Sequence, residues 1–290
     1  MPIWKQLLLN LYYHGSRPVR WWNLRCAVAE DRVPVAVLFY HRTARRRSNE
    51  WTITNRTFTR QIRWLKKHFE IVSLAEAQSR IRRGNRRPCV SITFDDGYAD
   101  NCHHAIPLLV KERIPCTYFV TLGNVLSGEP FPHDVALGNP LLPNSLEELR
   151  AMAAAGIEIG AHTRTHPDLG KMTDSRQLHD EVVEAGRELA DAVKQPVRYF
   201  AFPFGQLPNL NREVFRIARE AGYEGVCSAY GGVNLPGGDP FHVQRIGVED
   251  GMIAMKNRTT GDPRRRHIPT FDYQSPESDT EKETTIGHFA

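Results

Sequence analysis

The sequence predicts an α/β protein, a (β/α) barrel of seven or eight parallel units. Two observations carry this. Along most of the 290 residues, short runs rich in β-branched and aromatic residues alternate with runs whose apolar residues recur at helical spacing. The polar residues best suited to chemistry, His41, Asp95, Asp96 and His162, and the turn at Pro203, each fall just after a strand-like run. In a barrel those strand ends share one face, the face on which active sites are built.

The first buried strand is 35–40, ending at His41. A basic loop follows, and Phe58, Ile62, Leu65 and Phe69 mark an amphipathic helix. Ser73-Leu74-Ala75-Glu76 is a capping-box pattern that opens the next helix, which Gly84 closes. Residues 89–94 form an apolar strand that drives into Asp95-Asp96, and Gly97 permits a sharp exit. A helix through Ile106, Leu109 and Val110 stops near Pro115, and 116–121 is another strand. Residues 122–143 are rich in Gly and Pro and show no period. A loop of that length is expected to be functional, with Phe131, His133 and Asp134 as substrate-wall residues. Ser145 caps a helix that runs to Gly156, and the strand 157–161 ends at His162. Leu178, Val182, Leu189 and Val193 share one side of a helix over 174–193. A strand at 197–202, a helix from Asn211 to Ala221, and strands at 223–228 and 243–248 complete the pattern.

This organisation predicts an N-terminal amphipathic and basic extension (1–33), a catalytic domain (34–250) and a disordered tail (251–290), where few apolar residues remain to offset ordering entropy. No internal repeat is present.

The composition, 41% hydrophobic, suffices for a real core. The net charge of +5 is concentrated in 42–47, 80–87 and 264–266, which suggests contact with anionic surfaces. No aromatic-basic recognition module appears, so nucleic acid is not the expected partner. Five scattered cysteines read as reduced thiols, not as a disulfide framework. Residues 1–22 lack the h-region and cleavage site of a secretory signal. No apolar run reaches the ~18 residues of a membrane span. Ile3, Trp4, Leu7, Leu8, Leu11 and Tyr12 recur at helical spacing, followed by Arg17, Arg20, Trp21 and Trp22. Such a stripe either packs on the domain or lies in a membrane interface. The expected location is cytoplasmic, with peripheral contact to the anionic inner face of the membrane.

The chemistry centres on Ser91-Ile92-Thr93-Phe94-Asp95-Asp96-Gly97-Tyr98. Two acids at a buried strand end are costly unless something cationic sits there. The second strand end, His162-Thr163-Arg164-Thr165-His166, supplies two histidines. One Asp and two His make a three-ligand set for a catalytic metal with an open position. The other Asp is then free to act as a base.

These stretches resemble the first two signature motifs of the polysaccharide deacetylases, carbohydrate esterase family 4, also called the NodB homology domain. Phe200-Ala201-Phe202-Pro203-Phe204-Gly205 resembles the third, and the likeness covers roughly 34–248. The resemblance implies a distorted barrel, usually with seven parallel strands. It implies Asp96, His162 and His166 as ligands of a divalent metal, foremost Zn²⁺, a set that also suits Co²⁺ or Ni²⁺. It makes Asp95 the general base and the N–H of Phe204, after Pro203, the oxyanion donor; Pro203, Gly205, Tyr98 and His133 are the further residues expected in the substrate site. The implied substrate is an N-acetylated amino sugar in a glycan. Rival classes are a non-catalytic binding relic and a metal-dependent hydrolase of another bond.

Three positions depart from the family pattern. Ala201 stands where an arginine usually steadies the base. The usual Asp-Trp motif is not evident near Ser228-Ala229-Tyr230, and the Leu-x-His motif that supplies the general acid is absent after Ile246. Arg245 is the expected substitute partner of Asp95, and His41 the expected acid, with His133 as its rival.

Overall fold

The computed structural model describes residues 3–263 and 270–274. Nine strands form one parallel sheet among the described residues. They are β1 (Val35–Tyr40), β4 (Glu70–Val72), β5 (Cys89–Phe94), β6 (Thr117–Val120), β7 (Glu158–Ala161), β8 (Tyr199–Ala201), β9 (Gly225–Cys227), β10 (His242–Val243) and β11 (Ile246–Gly247). The order is β10-β9-β8-β7-β6-β5-β1-β11, with β4 pairing β5 beside this path. Every pairing in it is parallel. The expectation of about seven strands is exceeded by β4 and by the division of the last run into two pairs of residues. A further parallel pair, β2 (Arg42–Ala44) and β3 (Thr52–Thr54), is too short to read from periodicity.

The two edges of the sheet, β10 and β11, are separated in sequence by Gln244 and Arg245 alone. Two linking residues span at most about 10 Å, so the sheet must curl until its edges nearly meet. Asn234 stitches this seam. Its backbone exchanges hydrogen bonds with Val35, and its side chain pairs with the N–H and C=O of Gln244.

Alternation along the strands makes two cores. Ala36, Leu38 and Tyr40 of β1, with Val90, Ile92 and Phe94 of β5, face outward. There they meet the helices α3 (Asn55–His68), α5 (Ala105–Lys111), α8 (Leu146–Ala154), α10 (Ala185–Val193) and α11 (Arg212–Glu220). Val35, Val37, Cys89, Phe119, Ala201, Cys227 and Val243 face inward. Leu74, Ala77 and Ile81 of α4 (Leu74–Arg83) join this inner core beside the starts of β1 and β5, which closes the end of the barrel opposite the motifs.

Two expectations need correction. Residues 122–143 are not an aperiodic loop: α6 (Leu122–Ser127) and α7 (Pro132–Ala136) lie within them. Residues 251–290 were expected to be disordered, but Ile253–Thr259 is a helix, α12, with Ile253, Ala254 and Met255 buried. Average composition hid this local apolar cluster. Farther on, Phe271 and Tyr273 stack on Phe215 at 5.7 and 4.1 Å between ring centroids. Residues 264–269 and 275–290 lie outside the described residues. The N-terminal segment folds as α1 (Ile3–Gly15) and α2 (Arg17–Ala29). Between α8 and α10 the chain forms α9 (Ser175–His179) and then a π-helical turn, Asp180–Glu184.

Candidate active site

Strand alternation decides where the acids point. Because Val90, Ile92 and Phe94 face out, Thr93 and Asp95 face the barrel interior. The Asp95 N–H bonds the Tyr40 carbonyl at 2.8 Å, so the β1–β5 ladder runs one residue past the strand. The backbone then turns: Asp96 has φ 71° and Gly97 φ 94°. A Cβ on Gly97 would stand 3.1 Å from Val120 Cγ1, in addition to the cost of that φ.

Arg245, fully buried, closes on Asp95 from the seam. Its Nη1 donates to Asp95 Oδ1 at 2.6 Å and its Nη2 to Oδ2 at 2.9 Å. Nη1 also reaches Thr93 Oγ1 at 3.1 Å, and Nε reaches the Ser228 carbonyl at 3.0 Å. The guanidinium lies over the rings of Phe39 and Phe119 at 4.9 and 5.2 Å. Burial acts to lower its pKa, but Asp95 outweighs this and raises it. The arginine expected to replace the one missing at Ala201 is therefore in contact with Asp95.

Asp96 faces two histidines. Its Oδ1 lies 3.4 Å from His162 Nε2 and 3.3 Å from His166 Nε2. Asp96 Oδ1 is buried and has no hydrogen-bond partner of normal geometry among the described residues. The three donor atoms fall within 4.8 Å of one another. A tetrahedral ion with bonds of about 2.0–2.1 Å needs ligand atoms about 3.3 Å apart. The residues thus fit a divalent metal, and an orphaned buried carboxylate oxygen is what such an ion would satisfy. His162 Nδ1 lies 2.7 Å from the Ala201 carbonyl, which only accepts, so Nδ1 carries the proton and Nε2 presents its lone pair. Burial acts to raise the Asp96 pKa, but the field of His41 and the nearness of His162 and His166 hold it well below the usual range. Burial likewise acts to lower His166, and Asp96 reverses the shift.

The loop between the two histidines is held by a residue that sequence reasoning missed. Glu181, buried in the π-helical turn, accepts the N–H groups of Arg164 and Thr165 at 2.8 and 2.9 Å and the Thr165 hydroxyl at 2.5 Å. Thr163 Oγ1 accepts from the His166 N–H at 2.9 Å. Thr163, His166, Asp96 and Phe204 account for four of the seven non-glycine residues with positive φ among the described residues. Strain of this kind, about 1–3 kcal/mol per residue, gathers at functional sites. The signal for Glu181 was an acid between Leu178 and Val182 on an apolar face. Asn101 was also missed. Its side chain bonds the Thr43 N–H and the His41 carbonyl, both at 2.8 Å, and so fixes the chain around His41.

The remaining expected residues divide. Pro203 is buried, while Phe204 is 56% exposed with its ring 5.1 Å from His166. The Phe204 N–H has no hydrogen-bond partner among the described residues. Gly205 (φ 61°) accepts from the Ala229 N–H at 2.7 Å, too close for a Cβ. His41 sits edge-on to Phe39 at 5.5 Å and bears electrostatically on Asp96. His133 is half-buried, 6.1 Å from the His166 ring, and burial lowers its pKa. Tyr98, Phe131 and Asp134 are fully buried and do not form a substrate wall. The Tyr98 hydroxyl donates to Asp134 Oδ2 at 2.7 Å and also meets His133 Nε2 at 3.0 Å and Trp51 Nε1 at 3.1 Å. Tyr98 supports His133 from behind. Arg164 points outward to Asp180 and Glu188.

Residues 82–226, half of the chain, match the family model described as polysaccharide deacetylase. The chain is 25% identical over 210 residues to a poly-beta-1,6-N-acetyl-D-glucosamine N-deacetylase of Staphylococcus aureus (strain MRSA252), covering 69% of each. It is 33% identical over 118 residues to a chitooligosaccharide deacetylase of Bradyrhizobium sp. (strain ANU 289), 40% of this chain and 46% of that one. Among solved structures, IcaB from Ammonifex degensii superposes with a TM-score of 0.63 at 25% identity, over 79% of this chain and 96% of that one. The family match falls on the Asp95-Asp96 strand end and on both histidines, and the chain belongs to the polysaccharide deacetylase family, carbohydrate deacetylases that hydrolyse carbon–nitrogen bonds other than peptide bonds.

Proposed function

We propose that this chain removes the acetyl group from the nitrogen of an N-acetylated amino sugar in a poly- or oligosaccharide. The observation that carries the reading is the pairing of two unlike carboxylates: Asp96 with two histidines, and Asp95 with Arg245. A binding relic would have no use for the second pair. Asp96, His162 and His166 would hold a divalent cation, foremost Zn²⁺ with Co²⁺ or Ni²⁺ also suited. When bound, it would lower the pKa of a water and polarise the acyl carbonyl.

The chain's own residues do the rest. Asp95 takes the proton of the attacking water, and Arg245 holds both of its oxygens in place for that transfer. The free N–H of Phe204 donates to the developing oxyanion. His41 protonates the leaving amine. Substitution His41→Ala tests this role, with turnover lost and the ion retained; unchanged turnover moves the role to His133.

The reading places the protein in the cytoplasm, supported by five free cysteines. It includes peripheral contact with the anionic inner membrane face through residues 1–33.

The deciding experiment measures acetate release from chitooligosaccharide and from poly-beta-1,6-N-acetyl-D-glucosamine after chelation and reloading with Zn²⁺ or Co²⁺. Release with metal and none without it supports the reading. No release from either glycan, with turnover of p-nitrophenyl phosphate instead, overturns it.

A further inference from the structure

The N-terminal helices present the wrong side to the protein. A helix that stabilises a domain buries its apolar stripe. Here the polar side faces inward. Arg20 is buried, and its guanidinium bonds the Asn257 carbonyl, the Asn257 side chain and the Thr260 hydroxyl. The Tyr12 hydroxyl donates to Asp262 at 2.6 Å. The apolar side chains are left outside. Leu11 is 71% exposed, and Trp4, Leu7, Leu8, Trp21 and Trp22 are each more than half exposed. Nine of the fifteen large exposed apolar side chains among the described residues belong to α1 and α2.

Charge says what this face meets. No Asp or Glu precedes Glu30, whereas Lys5, Arg17 and Arg25 are exposed on the same helices. Arg25 lies over the Trp21 ring at 4.3 Å and Lys5 over Trp4 at 5.4 Å. Cations stacked on tryptophans beside leucines suit the boundary between acyl chains and anionic headgroups. No helix among the described residues is long and apolar enough to cross a membrane, so the fit is to the surface. The polar flank of α1 meets the basic loop that follows His41. Gln6 and Asn10 of α1 line a cleft of about 580 Å³ with Arg47 and Arg60, whose charges are matched there by Glu50, Glu249 and Asp250. Arg45 and Arg46 of the same basic loop line a second cleft with Arg42, next to His41, and Asp100, in the helical turn four residues past Asp96.

We infer that α1 and α2 dock this protein on an anionic lipid bilayer and hold its catalytic rim against glycans attached to that bilayer. The choice of substrate rests on the deacetylase reading, whereas the docking does not. Polar anchoring through Arg20 and Tyr12 fixes the angle at which the apolar face is offered, so the protein lands in one orientation.

The test uses the full chain and sucrose-loaded vesicles of phosphatidylcholine alone or with an equal part of phosphatidylglycerol. Wild type should sediment with the mixed vesicles. Substitution Leu7→Ser, Leu8→Ser or Leu11→Ser should weaken the partition about tenfold each. Each of Lys5→Glu, Arg17→Glu and Arg25→Glu should weaken it about fivefold or more, only where phosphatidylglycerol is present. All six side chains are exposed, so circular dichroism should be unchanged. The triple leucine variant should keep wild-type acetate release from chitooligosaccharide and lose it selectively on an N-acetylglucosaminyl lipid in the mixed vesicles. No binding to either vesicle, or a lipid-free dimer that the leucine variant abolishes, overturns the docking. Binding without acetate release from any substrate overturns the deacetylase reading and leaves the docking standing.

Discussion

Substitution Arg245→Met separates the role of the seam arginine from that of the metal ligands. Methionine keeps the apolar stem and removes four hydrogen bonds, two of them to Asp95. Asp95 is 3% exposed, so its charge is left buried without a partner. Breaking a buried pair from one side costs about 3–5 kcal/mol. Against a stability of about 5–15 kcal/mol the variant should fold, with a clearly lower urea midpoint. Turnover should fall on the order of 10²–10⁴-fold, because the base loses its orientation. The ion should remain, since Arg245 makes no hydrogen bond to Asp96, His162 or His166. Adding Asp95→Asn removes the stranded charge, so the double variant should be more stable than Arg245→Met alone. Adding Ala201→Arg should recover part of the turnover, because Ala201 shares the inner core around the pair. Wild-type turnover in a folded Arg245→Met protein, or equal stability of the single and double variants, would refute the reasoning.

Substitutions Asp96→Ala and His162→Ala should each abolish binding of the ion; metal analysis that still finds one ion per chain would remove them from the ligand set. Asp95→Asn should retain the ion and lose turnover on the order of 10²–10⁴-fold, and loss of both together would mean the two aspartates exchange roles. Glu181→Gln should lower metal affinity about 10–100-fold by loosening the histidine loop, measured by competition with a chelator. Burial holds His242 down at about 4 against an ordinary 6.5. The folded state therefore refuses a proton that the unfolded chain accepts. Stability from this residue is intact above pH 6.5 and lost as pH falls toward 4, by about 3 kcal/mol in all. His242→Gln should shrink that loss in urea titrations across the interval, and an identical pH dependence in the variant would exclude His242.

The metal site was legible because two strand ends carry it in compact motifs, and alternation alone aims the acids inward. Arg245 was legible only as a strand-end arginine near a gap in the family pattern; its contact with Asp95 depends on ring closure, which no local pattern encodes. Tyr98, beside the motif, was read as a substrate contact. The fold buries it instead, with its hydroxyl donating to Asp134, 36 residues on, and meeting His133. Glu181 was hidden because its partners, Arg164 and Thr165, lie 16–17 residues upstream, beyond the reach of any local pattern. The helix α12 was lost in the polar average of the tail, and the exposure of the N-terminal stripe is a tertiary property that its spacing does not encode.

Asp95 and Arg245 stand 150 residues apart in the chain. At about 5–20 residues per second of synthesis, the arginine emerges roughly eight to thirty seconds after the carboxylate it pairs with. During that interval the strand bearing Asp95 lacks the counter-charge that its burial requires. Until then the sheet lacks its two edge strands, β10 and β11, and its inner wall stays open to water. The last link of the ring therefore acts as a completion signal. A chain cut between residues 167 and 244 retains Asp96, His162 and His166 but leaves Asp95 with nothing to hold it. Turnover, unlike metal binding, reports that the whole ring has been made.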